Sequence, residues 1–309
     1  MTICIVARCT ENDSLVDAGD RLFSYGRYFS YESISLKRLP ITADRRWHCM
    51  FAGAVSNVLP IMRRARREIG LRRPPHRLEL VERACVKAYQ DYREQLVNDQ
   101  VLSIYGIDLA TYRREGLNLS GQECARINGL IENVQVGVDF IIYGYDDLNV
   151  CHLFTLCEPE HSPFAVQSVC REQDGLAVIG CGFGDAMASL LSPPLAPEII
   201  SQVEMLCRVC EAKFAAEKSP DVGRDSAAGV VNRPSGTVQS TSEAFIVVPA
   251  LQAVRDAHSQ GRDRPYPKEL LEALMYCIKS NITTERMHEA VWRAEQQIIE
   301  ENRLKRSGG

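Results

Sequence analysis

The segment Thr2-Ile-Cys-Ile-Val-Ala-Arg-Cys9 decides the fold, because it predicts that the chain begins on a strand. Its residues are apolar and largely β-branched, and the turn-forming residues from Thr10 to Ser14 follow it. Three more short runs of strand type come next, at 15–24, 34–41 and 47–51. Four early strands predict an antiparallel sheet.

The periodicity becomes helical after the fourth strand. The apolar residues that recur at helical spacing are Val58, Met62, Ala65 and Ile69. Ser56 or Asn57 is the expected N-cap, and a second long helix is predicted from Leu78 to Leu96. Between 98 and 135 glycines separate short helical pieces, one of them capped by Asp108, which predicts an inserted subregion.

Strand signals return at 138–144, 150–156, 164–169 and 176–180. They predict a second antiparallel sheet. Two helices are expected after it, one over 185–191 and one that starts at Pro197. The predicted order along the chain is therefore sheet, helices, sheet, helices.

The last third of the chain divides into two parts. Residues 229–232 and 237–239 predict a hairpin. From about Glu243 onward the sequence is amphipathic and predicts helices. We therefore expect one domain over 1–240 and a C-terminal helical extension over 241–309.

Composition excludes several classes of protein. With 309 residues, 45% apolar and 25% charged, the chain is not collagenous, a coiled coil or wholly disordered. A net charge of −4 does not fit a basic protein that binds nucleic acid along its whole surface. Twelve Cys fall below the density of a disulfide scaffold, and no charged start with an apolar stretch resembles a signal peptide, so we expect a cytoplasmic protein. The longest apolar runs are too short for a bilayer, so we expect no membrane partner.

Thr2 is the first candidate for chemistry. Removal of Met1 leaves a hydroxyl and a free α-amine on one residue. An α-amine titrates at about 7.7–8.0 and accepts the hydroxyl proton near neutral pH, so a terminal Thr carries its own general base. The dipeptide Met-Thr alone is common and does not establish a nucleophile.

Seven short motifs, however, follow one another in a defined order between residues 2 and 240. They are Thr2-Ile-Cys-Ile-Val-Ala, Ala18-Gly-Asp20-Arg21, Leu36-Lys37-Arg38-Leu39, Met50-Phe-Ala-Gly53, Ile142-Tyr-Gly-Tyr-Asp146, His152-Leu-Phe and Ala177-Val-Ile-Gly-Cys-Gly182. In order and separation they resemble the proteasome β-subunit family, and most of all its simpler bacterial relatives that work with a ring ATPase. These proteins are N-terminal nucleophile (Ntn) hydrolases.

The resemblance implies a fold and a set of roles. The fold is α+β, a four-layer αββα sandwich. Thr2 becomes the nucleophile, Lys37 lowers the proton affinity of its hydroxyl, and Asp20 orients and compensates Lys37, since an unpaired buried ammonium is costly. Gly53 offers its backbone N–H to the developing oxyanion.

Two positions depart from the family pattern. Cys181 stands where family members usually have Ser between two Gly, and a thiol is the weaker hydrogen-bond partner. The later Asp/Ser pair of the auxiliary network has no compelling register, because Glu217, Ser219 and Asp221 all lie near the expected position. Cys181 and Ser219 are therefore the weaker site candidates, and the auxiliary network is expected to be weakened.

Three other signals compete with this interpretation. Gly180-Cys-Gly182-Phe-Gly184 resembles a phosphate-binding turn, but its third Gly is misplaced and no βαβ unit follows. Cys207 and Cys210 have half of a metal-site spacing, yet they lie on an apolar helical stripe and predict buried thiols. The six His have no ligand spacing, so no metal is expected. A basic cluster is formed by Arg63, Arg64, Arg66, Arg67, Arg72, Arg73 and Arg77. For this cluster a solvated helix face or a subunit contact is favoured over nucleic-acid binding.

The sequence thus predicts threonine-dependent peptide-bond hydrolysis without a cofactor. The expected substrate is an unfolded polypeptide or peptide. By resemblance, the chain assembles as a homo-oligomer, a ring or a related assembly, and an ATPase unfoldase partner is left open. Two alternatives also stay open: an Ntn amidohydrolase acting on a small amide, and a proteasome-like scaffold that binds partners without hydrolysis.

Overall fold

The computed structural model describes residues 2–20, 22–25, 29–32, 37–71, 76–115, 119–158, 167–171, 174–191, 200–224, 226–234, 243–246 and 272. In chain order the strands are β1 (Ile3–Arg8), β2 (Leu15–Asp20), β3 (Leu22–Tyr25), β4 (Phe29–Glu32), β5 (Arg38–Pro40), β6 (Trp47–Gly53), β7 (Val138–Tyr145), β8 (Cys151–Cys157), β9 (Gln167–Cys170), β10 (Leu176–Gly180), β11 (Ser226–Val231) and β12 (Glu243–Ile246). The helices are α1 (Val55–Gly70), α2 (Leu78–Gln100), α3 (Leu109–Glu115), α4 (Gly121–Glu132), α5 (Phe183–Leu190) and α6 (Gln202–Ala216), with a 3-10 turn at Leu102–Tyr105.

The strands form two five-stranded antiparallel sheets and a separate β3–β4 pair. The first sheet has the order β10-β1-β2-β11-β12, and the second has the order β5-β6-β7-β8-β9. Each sheet therefore combines strands from before and after α1 and α2. The predicted order of strands, helices, strands and helices along the chain is confirmed as far as α6. The prediction that the early strands form one sheet and the later strands a second sheet is wrong, because β1 and β2 pair with the late strands β10 and β11 instead of with β5 and β6.

Apolar side chains pack on both faces of the sheets. Alternation along β1 sends Ile3 and Ile5 into a core with α5 and α6, and sends Cys4 and Val6 into a second core shared with the other sheet. This second core also contains Met50 of β6 and residues of β7 and β8. A third core joins α1 and α2 to the second sheet. Among the described helices, none has the length and apolar character that crossing a membrane requires.

One predicted helix cap is wrong and another is confirmed. Helix α1 begins at Val55, and the residue at its N-cap position, Ala54, has no side chain that could cap it. Asn57, one of the two expected caps, instead donates from Nδ2 to the Val136 carbonyl at 2.8 Å. Helix α6 begins at Gln202 and is capped by Ser201, whose hydroxyl accepts from the Glu204 N–H at 3.2 Å. The expected start of this helix, Pro197, lies outside the described residues. Before α3, Asp108 accepts from the Thr111 N–H at 2.7 Å, as predicted.

The subregion between 98 and 135 has a small core of its own. Val97, Leu102, Ile127 and Ile131 are buried together there. Ser120 and Glu123 form a reciprocal capping box at the start of α4, which satisfies two N–H groups of the first turn. The predicted short helical pieces are confirmed as α3 and α4.

The predicted hairpin and the predicted helical start at Glu243 are corrected by β12. Residues Ala228 to Val231 pair with β2 on one side and with Glu243–Ile246 on the other, so their two edges are already taken. Glu243–Ile246 is therefore strand and not helix, as its apolar Ala-Phe-Ile run permits. Residues 237–239 and, apart from 243–246 and Glu272, the expected helical extension over 241–309 lie outside the described residues.

A charged turn closes the β7–β8 hairpin. The Asp146 carboxylate accepts from the N–H groups of Leu148 and Val150 at 2.9 and 2.8 Å, and it lies 3.0 Å from Nε2 of His152. The His152 ring stacks on Trp47 with 5.8 Å between centroids. Burial alone would raise the pKa of Asp146, but the hydrogen bonds from His152 and the backbone outweigh it and hold that pKa below its usual value.

We expect Asp146→Asn to lower the free energy of unfolding by about 1 kcal/mol at pH 7. Because the folded-state pKa is depressed, this contribution is present above the unfolded value of about 4 and is lost as the pH falls through the folded value. Urea unfolding at several pH values measures it. The gap between the two proteins should be constant from pH 7 to 5 and shrink below pH 4. Asp147→Asn, one residue along the same turn, is the matched control and should change stability by less than about 0.5 kcal/mol. A gap that does not depend on pH would contradict this account.

Candidate functional site

The first three predicted site residues come from different parts of the fold. Thr2 directly precedes β1, Asp20 ends β2, and Lys37 directly precedes β5 of the other sheet. All three are buried, with exposed fractions of 4%, 1% and 4%. The structure thus brings together residues that are 18 and 35 positions apart in sequence.

Their polar atoms form one closed set of contacts. The Thr2 hydroxyl donates to Oδ1 of Asp20 and accepts from Nζ of Lys37. Nζ of Lys37 lies 2.9 Å from the same Asp20 oxygen. When a hydroxyl lies between an ammonium and a carboxylate, the ammonium stabilises the negative charge that forms as the hydroxyl loses its proton. The carboxylate orients the hydroxyl. This is the arrangement that an activated oxygen nucleophile needs.

The Asp20 carboxylate is further held by the main chain. Oδ1 accepts from the Ile3 N–H at 3.1 Å, and Oδ2 accepts from the Gly223 N–H at 3.0 Å. Asp20 therefore receives donors from β1, from the segment before β5 and from the loop before β11. Buried charges are stable only when they are paired and hydrogen-bonded in this way.

Lys213 holds the loop before β11 in place. It is a site residue that the sequence analysis does not identify. Its side chain is fully buried, and Nζ donates to the carbonyls of Gly223 and Arg224 at 2.7 and 3.1 Å and to Glu217 at 2.6 Å. The available signal was a Lys placed within the apolar stripe of α6. A buried ammonium that binds two consecutive carbonyls fixes the loop whose N–H binds Asp20.

Gly180 explains how Thr2 is positioned. It pairs with Ile3 in the first sheet and has a φ of +102°, and a Cβ at this position would lie 2.0 Å from the Thr2 carbonyl oxygen. Only glycine fits such an approach without displacing Thr2. The glycine in this motif is thus needed for the close packing of β10 against the start of β1.

Gly53 lies at the exposed end of β6 and has a φ of +108°. A Cβ at this position would lie 2.2 Å from the Gly137 carbonyl oxygen, so this backbone contact already requires glycine. The preceding residue, Ala52, is near Gly180 and therefore on the side of Thr2. The role of the Gly53 N–H as oxyanion donor stays a prediction.

The two weaker candidates occupy different positions. Cys181 is next to Thr2: burial raises the pKa of its thiol, the charge of Asp221 adds to the rise, and a contact with the Thr2 main chain opposes it. Ser219 is half-buried in the turn after α6, where its N–H donates to Ala216 and its carbonyl accepts from Val222. Its described hydrogen bonds are those of a turn and do not connect it to Thr2, so its catalytic role stays a prediction.

The competing signals have structural explanations. Gly182 has a φ of +78° and precedes α5, and β10 runs antiparallel to β1 rather than parallel as a dinucleotide fold requires. Cys207 and Cys210 are buried in the core beside α6, as predicted. In the described part of the chain, no group of three His, Cys, Asp or Glu is placed to hold a metal ion. Arg66 donates to the Pro40 carbonyl at 2.6 Å, so part of the basic cluster serves the packing of α1.

No family model and no curated protein sequence matches the chain. Its structure is similar to that of Anbu, described as an ancestral beta-subunit, from Yersinia bercovieri, with a TM-score of 0.56 and 12% identity over 86% of this chain and 99% of that one. Anbu from Hyphomicrobium sp. strain MC1 aligns with a TM-score of 0.55 and 12% identity over 84% and 94% of the two chains. Eukaryotic HslV from Trypanosoma brucei aligns with a TM-score of 0.44 and 14% identity over 75% and 99%. The Anbu alignments support the expected β-subunit-like fold, and at this identity the likeness is one of fold.

We expect Gly180→Ala to lower the free energy of unfolding by about 2 kcal/mol or more, because the new Cβ overlaps the Thr2 carbonyl at a φ that disfavours side chains. Gly184→Ala is the matched control, since a Cβ there meets nothing within 4 Å and the residue lies in α5. The control should be neutral or stabilise by up to about 1 kcal/mol. Thermal and urea unfolding measure both, and equal stability of the two variants would contradict the close approach at Gly180.

Proposed function

We propose that the protein is a threonine-dependent peptidase that uses the hydroxyl of Thr2 as its nucleophile. The observation that carries the proposal is the buried Thr2 hydroxyl, bound at once by the Lys37 ammonium and the Asp20 carboxylate. A Thr that served only to pack the end of β1 would not need two opposite charges in a buried environment, where each charge is costly. The contacts therefore support a chemical role.

The proposed reaction begins with removal of Met1, which frees the α-amine of Thr2. The amine takes the hydroxyl proton as the oxygen attacks the peptide carbonyl, and the Lys37 ammonium stabilises the negative charge on that oxygen. The tetrahedral oxyanion is bound by the Gly53 N–H, and the proton passes from the amine to the leaving nitrogen as the peptide bond breaks. An ester on Thr2 remains. A water molecule, deprotonated by the same amine, hydrolyses it and restores the hydroxyl.

The packing of the sheets supports the rest of the proposal. Helices α1 and α2 pack against one sheet, helices α5 and α6 pack against the other, and a shared core lies between the sheets. We take this arrangement to be the four-layer αββα sandwich of an Ntn hydrolase domain over 1–240, followed by the extension over 241–309. A homo-oligomeric assembly in the cytoplasm, acting on unfolded polypeptides with or without an ATPase unfoldase, completes the proposal.

Cys181 favours a second candidate, a proteasome-like scaffold without hydrolysis. Burial raises the pKa of its thiol, so the group beside Thr2 is a neutral and weak hydrogen-bond donor. A terminal amine with a weaker partner is oriented less well as a base. The scaffold candidate requires that Met1 is retained or that a free Thr2 does not react.

We expect Thr2→Ala to reduce peptide hydrolysis by at least about 1,000-fold without loss of folding, because it removes the attacking oxygen and one methyl group but leaves the Asp20–Lys37 pair in place. Lys37→Met should have a comparable effect on kcat. Thr155→Ala changes another buried Thr, in β8, and is the matched control that should keep activity. Fluorogenic peptides and small amides are assayed in parallel to separate the peptidase from a small-amide hydrolase.

Intact-mass spectrometry before and after an electrophile selective for terminal Thr tests the nucleophile directly. Loss of Met1 and one adduct, mapped to Thr2, would support the enzyme. Hydrolysis that is unchanged in Thr2→Ala would overturn the mechanism. Retained Met1, or a free Thr2 that never reacts, would favour the scaffold.

A further inference from the structure

A second buried ion pair lies beside Thr2, Asp20 and Lys37, and the proposed reaction does not use it. Asp17 is three residues before Asp20 on β2, and Arg38 directly follows Lys37. Nη1 of Arg38 lies 3.3 Å from Oδ2 of Asp17, and their side chains are 4% and 5% exposed. The Tyr143 hydroxyl, on β7, donates to the same Asp17 oxygen at 2.9 Å.

We propose that Asp17, Arg38 and Tyr143 form a positioning network that holds Lys37 against Thr2 and keeps the charge around them balanced. The inference rests on the proposed function, because it assigns a supporting role in the same reaction. None of the three touches the Thr2 hydroxyl in a described contact, so they are positioning residues and not catalytic ones.

The first argument is the connection between the sheets. Asp17 belongs to the first sheet, whereas Arg38 and Tyr143 belong to the second. Lys37 lies on the second sheet's side and must reach Thr2 and Asp20 on the first. A charged contact one residue after Lys37 fixes the start of β5 at a defined distance from β2, and catalysis is sensitive to displacements of about 1 Å. Apolar packing between the sheets is less directional.

The second argument is the charge balance. Asp17, Asp20, Lys37 and Arg38 together line one cavity of about 10 Å³, so two acids and two bases face the same small space. Burial is the largest cause of the raised pKa of the Cys4 thiol, and the charges of Lys37, Asp20 and Asp17 also act on this thiol. With two charges of each sign, the formal sum is zero. Loss of one member leaves a buried charge uncompensated next to the nucleophile.

The titratable and charged groups around Asp17 come from every element packed against it. They are Cys4 of β1, Asp20 of β2, Lys37 before β5, Arg38 of β5, Tyr143 of β7 and Cys210 of α6. His48 and Cys49 of β6 lie beside the Tyr143 side chain that binds Asp17. Burial raises the pKa values of Cys4, Cys49, Tyr143 and Cys210, which keeps these four neutral at pH 7. Lys37 and Arg38 are therefore the cations whose positive charge the Asp17 carboxylate offsets.

The sign of the expected effect follows from this balance. Asp17→Asn removes one negative charge and leaves the Arg38 cation next to Lys37 and Thr2. Added positive charge favours loss of protons from neighbouring groups. Both limbs of the pH profile of Thr2 reactivity should then move to lower pH, by roughly half a unit or more. A substitution that only loosened the packing would lower the rate and leave the limbs in place.

The experiment measures the rate of Thr2 modification by the electrophile, and the kcat and KM of peptide hydrolysis, from pH 5 to 10. Asp17→Asn is expected to shift the profile and to lower kcat about tenfold or more with a smaller change in KM. Asp13→Asn is the matched control, because Asp13 also pairs with an Arg, Arg8 at 2.5 Å, but at the opposite end of β1. It should leave the profile in place.

A double variant, Asp17→Val with Arg38→Met, separates charge from attachment and guards against misfolding of the single variant. Apolar residues of comparable size often replace a buried ion pair without loss of stability. Since both charges are removed together, the profile should return to the wild-type position. The rate should stay about tenfold below wild type, because the contact between the sheets is gone.

Two results would overturn the network: a wild-type pH profile in Asp17→Asn, or a wild-type kcat in the double variant. Failure of the proposed function is a different result, namely an unmodified wild-type Thr2 and no hydrolysis. In that case NMR titration of the Lys37 side chain, assigned through Lys37→Met, still tests the charge coupling. The pH at which Lys37 loses its proton should be lower in Asp17→Asn than in wild type, and equal values would refute the coupling.

Discussion

The rest of the site depends on one buried carboxylate. Asp20 accepts hydrogen bonds from the Thr2 hydroxyl, the Lys37 ammonium and the N–H groups of Ile3 and Gly223. An anion in a buried position is stable only if such donors are held in place, so the surrounding elements are arranged to supply them. The start of β1, the segment before β5 and the loop after α6 all converge on this side chain. The loop in turn is held by the buried ammonium of Lys213.

The sequence was sufficient for the local elements and for the central site residues. The strand at the start of the chain, the helices α1 and α2, and the short helices of the inserted subregion follow from periodicity, and the start of α3 follows also from the Asp108 cap. The grouping of Thr2, Asp20 and Lys37 came from the resemblance of motifs and not from the spacing. Strand pairing was not predictable in the same way, because β1 pairs with β10 and β2 pairs with β11 across more than 150 residues. Hydrophobic pattern specifies the faces of a strand but not its distant neighbour.

Other site features were missed because their signal depends on three-dimensional context. Asp17 and Lys213 are ordinary charged residues in the sequence, and only burial shows that each must have partners. Gly53 was predicted for its N–H, yet its glycine is already required by the approach of Gly137. The predicted cap of α1 is wrong because Asn57 donates to the Val136 carbonyl, about 80 residues away in the chain, and accepts from the Tyr92 hydroxyl of α2. Local capping rules do not include such distant competition.

The position of Gly223 has a consequence for the order in which the protein is made. Its N–H is the partner of an Asp20 oxygen 203 residues earlier, and β11 follows directly after the loop. During synthesis from the N-terminus, the carboxylate is therefore without this donor until nearly three quarters of the chain has emerged from the ribosome. The donor set around Asp20 is thus completed late in synthesis, together with the pairing of β2 with β11 that closes this part of the first sheet.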